Sequence, residues 1–323
     1  MKSPSAHILV TCTKRKRLAA PGRLRLGSVG KGSPSDVAER WVQRLEHTAA
    51  LKVPAASLYA GDHWQIAASL PAEAARSGVK ARLWILSAGY GLISGSASIA
   101  PYSATFSVGH PDEVIARFTG PEGPEAVREW WAALSAWPGP ETDAPRTIAE
   151  LVRRNPNFPI VVVASPKYLA AVQDDLLKAK SALDDPATLI VVSAGGRGRG
   201  PLASNMIDCS ARFQSALGGA LMSLNARVAR GVIEQHPPFP WKVTGFQDLL
   251  ERLPMTEPVD QTPQRQPVSD ADVREYVRNA LRENPKARHT TLLRLYRESG
   301  YACEQKRFGR LFKEVEQNHA ITK

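Results

Sequence analysis

The chain has few cysteines and no long hydrophobic run. Its three cysteines, Cys12, Cys209 and Cys303, are odd in number and far apart among 323 residues, which fits neither a disulfide framework nor paired metal-ligand spacing. No apolar run approaches the length of a membrane span. The N-terminal apolar segment is too short for a secretory signal peptide, because charged residues follow it at once. We therefore expect a protein of the reducing cytoplasm that is not associated with membranes.

Several signatures of cofactor and metal chemistry are also missing. The seven histidines form no HExxH motif and no metal pair, and the chain has no GKS or GKT phosphate loop. The glycine-rich segment 193–200 is not followed by an acidic residue placed to hold a ribose, so it is not a dinucleotide fingerprint. No cluster of carboxylates indicates the metal ions of a nuclease. These absences predict a protein that needs neither a metal nor an organic cofactor.

Acidic residues are absent from the first 31 positions, where eight Lys or Arg occur. The whole chain has a net charge of +11 and an isoelectric point near 9.7. This balance favours a polyanionic partner, above all nucleic acid, although a basic surface can also serve solubility alone. The cations are densest directly after the first apolar run, and we predict that they contact phosphates: Lys14, Arg15, Lys16 and Arg17.

Four short apolar runs rich in Val, Ile and Leu predict buried strands, at residues 7–12, 82–87, 159–164 and 188–193. Helix-like stretches lie between them, and a long one, 204–236, follows the fourth run. Alternating strands and helices are typical of βαβ units. We therefore expect an α/β fold in which a four-stranded parallel sheet lies between helices.

A proline-rich segment divides the chain. Residues 254–267 contain four prolines and almost no large apolar side chain, which is typical of a linker between a domain at 1–253 and a second one at 268–323. The second part has the pattern of three short helices with a glycine turn before the last, which suggests a helix-turn-helix-like module. Its cations either contact DNA or are solvated on a small dimerisation or lid domain, and the DNA candidates are Lys306, Arg307 and Arg310.

Polar, cationic and glycine residues follow the predicted strands. Thr11 and Cys12 end the first strand, Ser87 ends the second, and Arg197 and Arg199 lie in the glycine-rich segment after the fourth. The ends of parallel strands meet at one edge of a sheet, which is where ligands bind in such folds. Arginines in a glycine-rich loop can bind phosphates bidentately. We therefore expect a binding site for a phosphate-bearing ligand at this edge.

A carboxylate and three tyrosines lie close to these segments in sequence. Asp62 stands where a predicted helix begins, so it is either a catalytic carboxylate or a simple helix cap. Tyr59, Tyr90 and Tyr102 have rings that could stack on a nucleobase, or that could pack in the core.

The segments VTCTKRK, SLYAGDHW and LSAGYGLI, followed by a Pro-Tyr turn, resemble a bacterial family of largely uncharacterised domains. That family has a Cys-Ser-Lys-like turn, a Leu-Tyr-x-Gly segment, a Ser-Ala-Lys-Tyr-Gly-Leu segment and a Pro-Tyr turn, and the resemblance covers about residues 8–106. Gly89 stands where the family often has lysine. The family is distantly similar to the uracil-DNA-glycosylase fold, which has a four-stranded parallel sheet. Members of this broad group occur in anti-phage defence and include glycosylases that remove hypermodified cytosines from phage DNA.

The resemblance implies a DNA glycosylase that acts on modified phage DNA. Uracil-DNA glycosylases typically have an aspartate in the loop after the first strand, which is absent here, so Asp62 is the candidate that positions water or stabilises the sugar. Thr11, Cys12 and Ser87 are expected to line the base pocket. The expected base-binding residues are Tyr59, Tyr90 and Tyr102. Two alternatives stay open: a DNA-binding protein without activity, and a base-exchanging transglycosylase or deoxyribosyltransferase.

Overall fold

The structure is a computed structural model that describes residues 3–120, 123–194, 200–255, 266–285 and 287–321. The chain forms two compact units, Met1–Pro258 and Val259–Lys323, which we call the sheet domain and the C-terminal unit. The division falls within the proline-rich segment. In the described part of the chain, no helix combines the length and the apolar character needed to cross a bilayer.

The strands and helices are numbered in chain order. The strands are β1 (Ser5–Thr11), β2 (Val53–Pro54), β3 (Lys80–Ser87), β4 (Gly91–Ser94), β5 (Ser98–Ile99), β6 (Ile160–Val163), β7 (Leu189–Ala194), β8 (Met206–Cys209), β9 (Gln266–Pro267) and β10 (Tyr301–Ala302). The helices are α1 (Pro34–Glu46), α2 (Ala55–Leu58), α3 (Asp62–Arg76), α4 (Gly123–Ala136), α5 (Ile148–Arg154), α6 (Pro166–Ala182), α7 (Gln214–Leu217), α8 (Leu224–Ile233), α9 (Val243–Leu250), α10 (Asp270–Glu283), α11 (His289–Glu298) and α12 (Gln305–Ile321). Short 3₁₀ turns connect several of these elements.

The sheet domain is built on a six-stranded sheet with the order β4-β3-β1-β6-β7-β8. All neighbouring pairs are parallel except β3 and β4, which are antiparallel. The four strands predicted from the sequence are confirmed as β1, β3, β6 and β7, but the predicted total of four is wrong. The two additional edge strands, β4 and β8, have only four residues each, too few for a hydrophobic run to indicate them.

Both faces of the sheet are covered by helices, because the central strands are apolar on both sides. In β1, Ile8 and Val10 pack into one hydrophobic cluster and Leu9 packs into the other. Helices α1, α3, α8 and α9 belong to the first cluster, and α5 and α6 belong to the second. The predicted helix at 204–236 is wrong, since this stretch holds β8, the one-turn helix α7, short 3₁₀ turns and only then α8.

The connections between strands create a switch point in the sheet. The chain leaves β1 through α3 and enters β3 on one side, whereas it leaves β6 through α6 and enters β7 on the other side. The carboxyl ends of β1 and β6 are neighbours in the sheet, and their connections diverge there. Open α/β sheets bind their ligands in the crevice that such a divergence leaves.

The C-terminal unit packs α10, α11 and α12 around a small apolar core that includes Val277, Leu293 and Phe308. Helix α10 begins with a capping box, in which Ser269 and Asp272 satisfy each other's backbone N–H groups. The strands β9 and β10 form a short parallel pair, which the sequence did not indicate.

Candidate functional site

A cavity of about 380 Å³ lies at the switch point, within the range of about 300–1,000 Å³ that is usual for ligand sites. We call it the switch-point cavity. Its walls come from five segments: 11–15, 60–63, 104–107, 165–168 and 220–225. Three grooves are larger. Two, of about 1,210 Å³ and about 510 Å³, are lined only by residues of the C-terminal unit, and the third, of about 710 Å³, lies beside the amino-terminal half of β3.

A thiol and a phenol meet in the cavity wall. Cys12 follows β1 and its Sγ lies 3.1 Å from the hydroxyl of Tyr168, which belongs to the first turn of α6. The Tyr168 ring is held edge-on against Phe106, with 4.9 Å between the ring centroids. Burial raises the pKa of Tyr168 well above its usual value, so the phenol stays protonated and can donate a hydrogen bond.

Thr11 and His63 form a second polar pair in the wall. The Thr11 hydroxyl at the end of β1 lies 3.3 Å from Nε2 of His63, in the first turn of α3. Burial lowers the pKa of His63, and the neighbouring Asp62 opposes this only in part, so the ring is neutral at pH 7. Its Nδ1 is buried and has no hydrogen-bond partner among the described residues.

Asp62 lies on the rim of the cavity and is held from two directions. Ser223 Oγ donates to Oδ2 at 2.6 Å, and Arg227 Nη2 donates to Oδ1 at 2.7 Å. The hydrogen bonds from Ser223 and Arg227 lower the pKa of Asp62, so the carboxylate is charged at neutral pH. About half of the side chain, 51%, is exposed. Asp62 therefore offers a fixed negative charge and would be a weak base.

An amide completes the wall. Asn225 at the start of α8 is buried, and its side-chain oxygen accepts a hydrogen bond from the Ala226 N–H at 2.9 Å. Its amide nitrogen has no partner within the part of the chain that the structure describes. Asn225 can therefore donate to a ligand in the cavity.

The four consecutive cations do not share one environment. Lys14 and Arg15 are exposed and line the cavity, whereas Arg17 is exposed but is not part of the cavity wall. Lys16 points inward, donates to the Thr13 carbonyl at 3.2 Å, and places its Nζ 4.3 Å from the centre of the Tyr102 ring. Burial lowers the pKa of Lys16. The expected phosphate contact therefore fits Lys14 and Arg15, while Lys16 holds the turn against the core.

Four residues expected at the base pocket lie in the core instead, which corrects their predicted placement. Ser87 accepts the Tyr90 N–H at 2.9 Å and is 2.6 Å from the Tyr102 hydroxyl, which itself lies 3.0 Å from that of Tyr59. All four are at most 2% exposed, and none contributes to the cavity wall as far as the structure describes it. The hydroxyls of Ser87, Tyr102 and Tyr59 pair with one another, and that of Tyr90 bonds to the backbone of Ala100, which allows the aromatic rings to be buried at a strand end.

The C-terminal cations differ in a similar way. Arg307 donates to Asp270 at 2.7 Å and to the Val268 carbonyl at 2.9 Å, and Arg310 donates to Glu314 at 2.8 Å and to Asp270 at 3.2 Å. These two arginines therefore fasten α12 to the start of α10. Lys306 is exposed and has no ion pair within the described ranges. Arg197 and Arg199 lie outside the described residues.

The sequence indicated Thr11, Cys12 and Asp62, which the structure brings together at one cavity. It did not single out five further polar residues that the structure brings to this site: His63, Tyr168, Ser223, Asn225 and Arg227. His63 follows Asp62 directly, and Tyr168 comes just after the third predicted strand, so position relative to a strand or a helix start would have indicated both. The other three come from about 160 residues further along the chain and carry no such signal.

No group of three or more His, Cys, Asp or Glu side chains suited to a metal ion occurs in the described ranges of the chain. Comparisons of the chain with protein-family models, with curated proteins and with solved structures found no match.

Proposed function

We propose that this protein is a DNA glycosylase that hydrolyses the N-glycosidic bond of a modified base, with hypermodified phage cytosine as the substrate class, and leaves an abasic site. The observation that carries the proposal is the composition of the switch-point cavity. It combines a charged carboxylate, Asp62, with neutral hydrogen-bonding groups and with two exposed cations, Lys14 and Arg15.

The charge of Asp62 suits the sugar in this reaction. When the bond from C1′ to the base nitrogen breaks, the base leaves with the electron pair and the sugar becomes a cation that resembles an oxocarbenium ion. A fixed carboxylate beside it stabilises that charge, and water then adds to C1′ and loses a proton. The departing base takes up a proton, so the products are a free base and an abasic sugar.

The neutral groups suit the base. Cys12, Tyr168 and Asn225 present a thiol, a phenol and an unpaired amide to the cavity, and these can hydrogen-bond to the polar edge of a nucleobase. His63 is neutral and can bind water or the departing base without adding a positive charge. A nucleobase reaches such a pocket only when its nucleotide is turned out of the helical stack.

The exposed cations are suited to bind the phosphates of the DNA backbone. Lys14 and Arg15 lie on the same rim as Asp62, so phosphates bound by them would place the adjoining sugar at the carboxylate.

The test compares DNA from phages with hypermodified cytosines with unmodified DNA of the same length. The purified full-length chain is incubated with each, released bases are identified by mass spectrometry, and abasic sites are counted by alkaline cleavage. We expect free modified base and an equal amount of abasic sites from the modified DNA. Asp62→Asn should lower the rate by about 100-fold or more, as is typical when one preorganised electrostatic group is lost.

The matched control is Asp185→Asn. Asp185 is also partly exposed and ion-paired, to Lys242 at 2.9 Å, but it lies just before β7, at the opposite edge of the sheet. It should release base at the wild-type rate. DNA binding without release by the wild-type chain would instead support a DNA-binding protein, and incorporation of an added labelled base would support a transglycosylase.

A further inference from the structure

One arginine joins the carboxylate to a loop that forms part of the cavity wall. Arg227 lies in α8 and its guanidinium donates to Asp62 Oδ1 at 2.7 Å, to the Leu217 carbonyl at 3.2 Å and to Ser223 Oγ at 3.3 Å. Its side chain is only 16% exposed. The loop of residues 217–223, which we call the rim loop, therefore depends on the same side chain as Asp62.

The rim loop lies directly on the guanidinium. A Cβ atom at Gly219 would lie 2.4 Å from the guanidinium of Arg227, so a larger residue there would force the guanidinium to move away from its present partners. Gly218 and Gly219 both have positive φ angles, 67° and 77°, which other residues rarely adopt. The two glycines therefore give the loop the backbone conformation in which it lies against Arg227.

Residues of the rim loop also form part of the cavity wall. Ala220, Met222 and Ser223 line the cavity, and Met222 is 87% exposed. An exposed side chain of that size gains little from its own packing. The loop is held by polar contacts instead: Arg227 bonds to Leu217 and to Asp62, Ser223 bonds to Asp62, and Gln214 Nε2 donates to the Gly219 carbonyl at 3.2 Å.

We infer that Arg227 is a positioning residue for the reaction proposed above, which fixes the orientation of the Asp62 carboxylate and holds the rim loop as a wall of the cavity. The inference rests on the proposed function. Of the other charged or titratable groups, His63 lies beside Asp62, and Lys14 and Arg15 from the loop after β1 line the same cavity. These are present in every variant considered below, so a change in pH dependence can be assigned to Arg227. If the ion pair only joined α8 to α3 and Asp62 took no part in the reaction, its loss would change stability and leave the pH dependence of base release unchanged.

The test uses the full-length chain with Arg227→Gln, Arg227→Lys and the control Arg230→Gln. Arg230 lies one turn further along α8 and is paired with Glu234 at 3.4 Å, away from the cavity. Two quantities are measured: the pH profile of base release, and the rate at which chymotrypsin cleaves the rim loop after Leu221 or Met222. Thermal melting shows that each variant is folded.

In Arg227→Gln the acid limb of the pH profile should move to higher pH, because the pKa of Asp62 rises when its ion pair is lost. The rate on that limb should fall about tenfold for each unit by which the pKa rises, and the rim loop should be cleaved faster. Arg227→Lys should keep the acid limb near that of the wild type, because a positive charge remains beside Asp62. It should nevertheless expose the rim loop to cleavage, because one ammonium group cannot replace a guanidinium that binds both Asp62 and Leu217.

Equal pH profiles for Arg227→Gln and Arg230→Gln would overturn the inference, as would equal cleavage rates. If the wild-type chain releases no base, the proposed function fails and the coupling is still measurable. In that case the pKa of Asp62 is measured from the pH dependence of the ¹³C chemical shift of its carboxyl carbon, and the proteolysis experiment is carried out as before. An unchanged Asp62 pKa in Arg227→Gln would overturn the coupling by itself.

Discussion

The guanidinium of Arg146 donates a hydrogen bond of 2.5 Å to the backbone carbonyl of Tyr90, just before the edge strand β4 begins. It also donates to the carbonyls of Leu92 and Leu134, and its Nε donates to Trp137 at 2.9 Å. The side chain is buried, and burial lowers the pKa of Arg146 to about 10. A buried cation thus covers the start of a sheet edge that would otherwise present unpaired carbonyls.

Arg146→Met should lower the free energy of unfolding of the sheet domain by about 3 kcal/mol, because several buried carbonyls lose their donor. Arg153 provides the control, since it is exposed on the neighbouring helix α5. Arg153→Met should change the free energy by less than about 0.5 kcal/mol. Urea unfolding followed by tryptophan fluorescence measures both. Equal losses in the two variants would show that the edge does not depend on Arg146.

A second prediction concerns the pH dependence of stability. His7 in β1 is fully buried, and burial lowers its pKa from 6.5 to about 4. Between these values the unfolded chain binds a proton that the folded chain does not, so stability is present above pH 6.5 and is lost as the pH falls towards 4. We expect His7 to account for a loss of up to about 3 kcal/mol over this interval.

His7→Gln keeps an acceptor for the indole N–H of Trp84, which donates to His7 at 3.1 Å. The variant should lose much less stability than the wild type between pH 7 and pH 4.5, measured by urea unfolding at both values. His47→Gln, which changes an exposed histidine, should behave like the wild type. If His7→Gln lost as much stability as the wild type over this pH interval, the loss would have to come from other titratable groups.

The sequence predicted the centre of the sheet and missed its edges for a physical reason. Strands β1, β3, β6 and β7 have apolar residues on both faces over at least part of their length, so each appears as a continuous hydrophobic run. The edge strands β4 and β8 are four residues long and have no such signal. The stretch 204–236 looked helical because it has apolar residues at helical spacing, yet Gly218 and Gly219 adopt positive φ angles that interrupt it.

The candidate site was predictable where it depends on position along an element. Thr11 and Cys12 end a buried strand and Asp62 begins a helix, so their place at the carboxyl edge follows from the βαβ pattern. The environment of the tyrosines could not be predicted in this way. A tyrosine beside a strand end can line a pocket or be buried, and the pairing of Tyr59 with Tyr102 at 3.0 Å becomes visible only in the fold.

The C-terminal cations allow a third prediction, which separates a structural from a binding role. Arg307→Gln should lower the melting temperature of the C-terminal unit, because Arg307 bonds to Asp270 and to Val268. Lys306→Gln should leave melting unchanged and, if this helix contacts DNA, reduce the slope of log affinity against log salt by about 1. Fluorescence anisotropy with duplex DNA at several salt concentrations, beside calorimetry, measures both. A melting shift in Lys306→Gln would contradict this division.

The last prediction compares two tyrosines. Tyr168 contributes to the switch-point cavity and its hydroxyl meets Cys12, whereas Tyr59 is fully buried and its hydroxyl meets Tyr102. Under the proposed function, Tyr168→Phe should lower kcat/KM for base release about tenfold, the usual effect of one lost hydrogen bond, and leave DNA affinity unchanged because the phosphate contacts remain. Tyr59→Phe should lower the melting temperature and keep kcat/KM within about twofold of the wild type, since the Tyr102 hydroxyl loses a partner in the core and no group of the cavity does. If Tyr59→Phe impaired base release more than Tyr168→Phe, the base would have to bind among the buried tyrosines, as the sequence alone suggested, and the cavity would not be the site of the reaction.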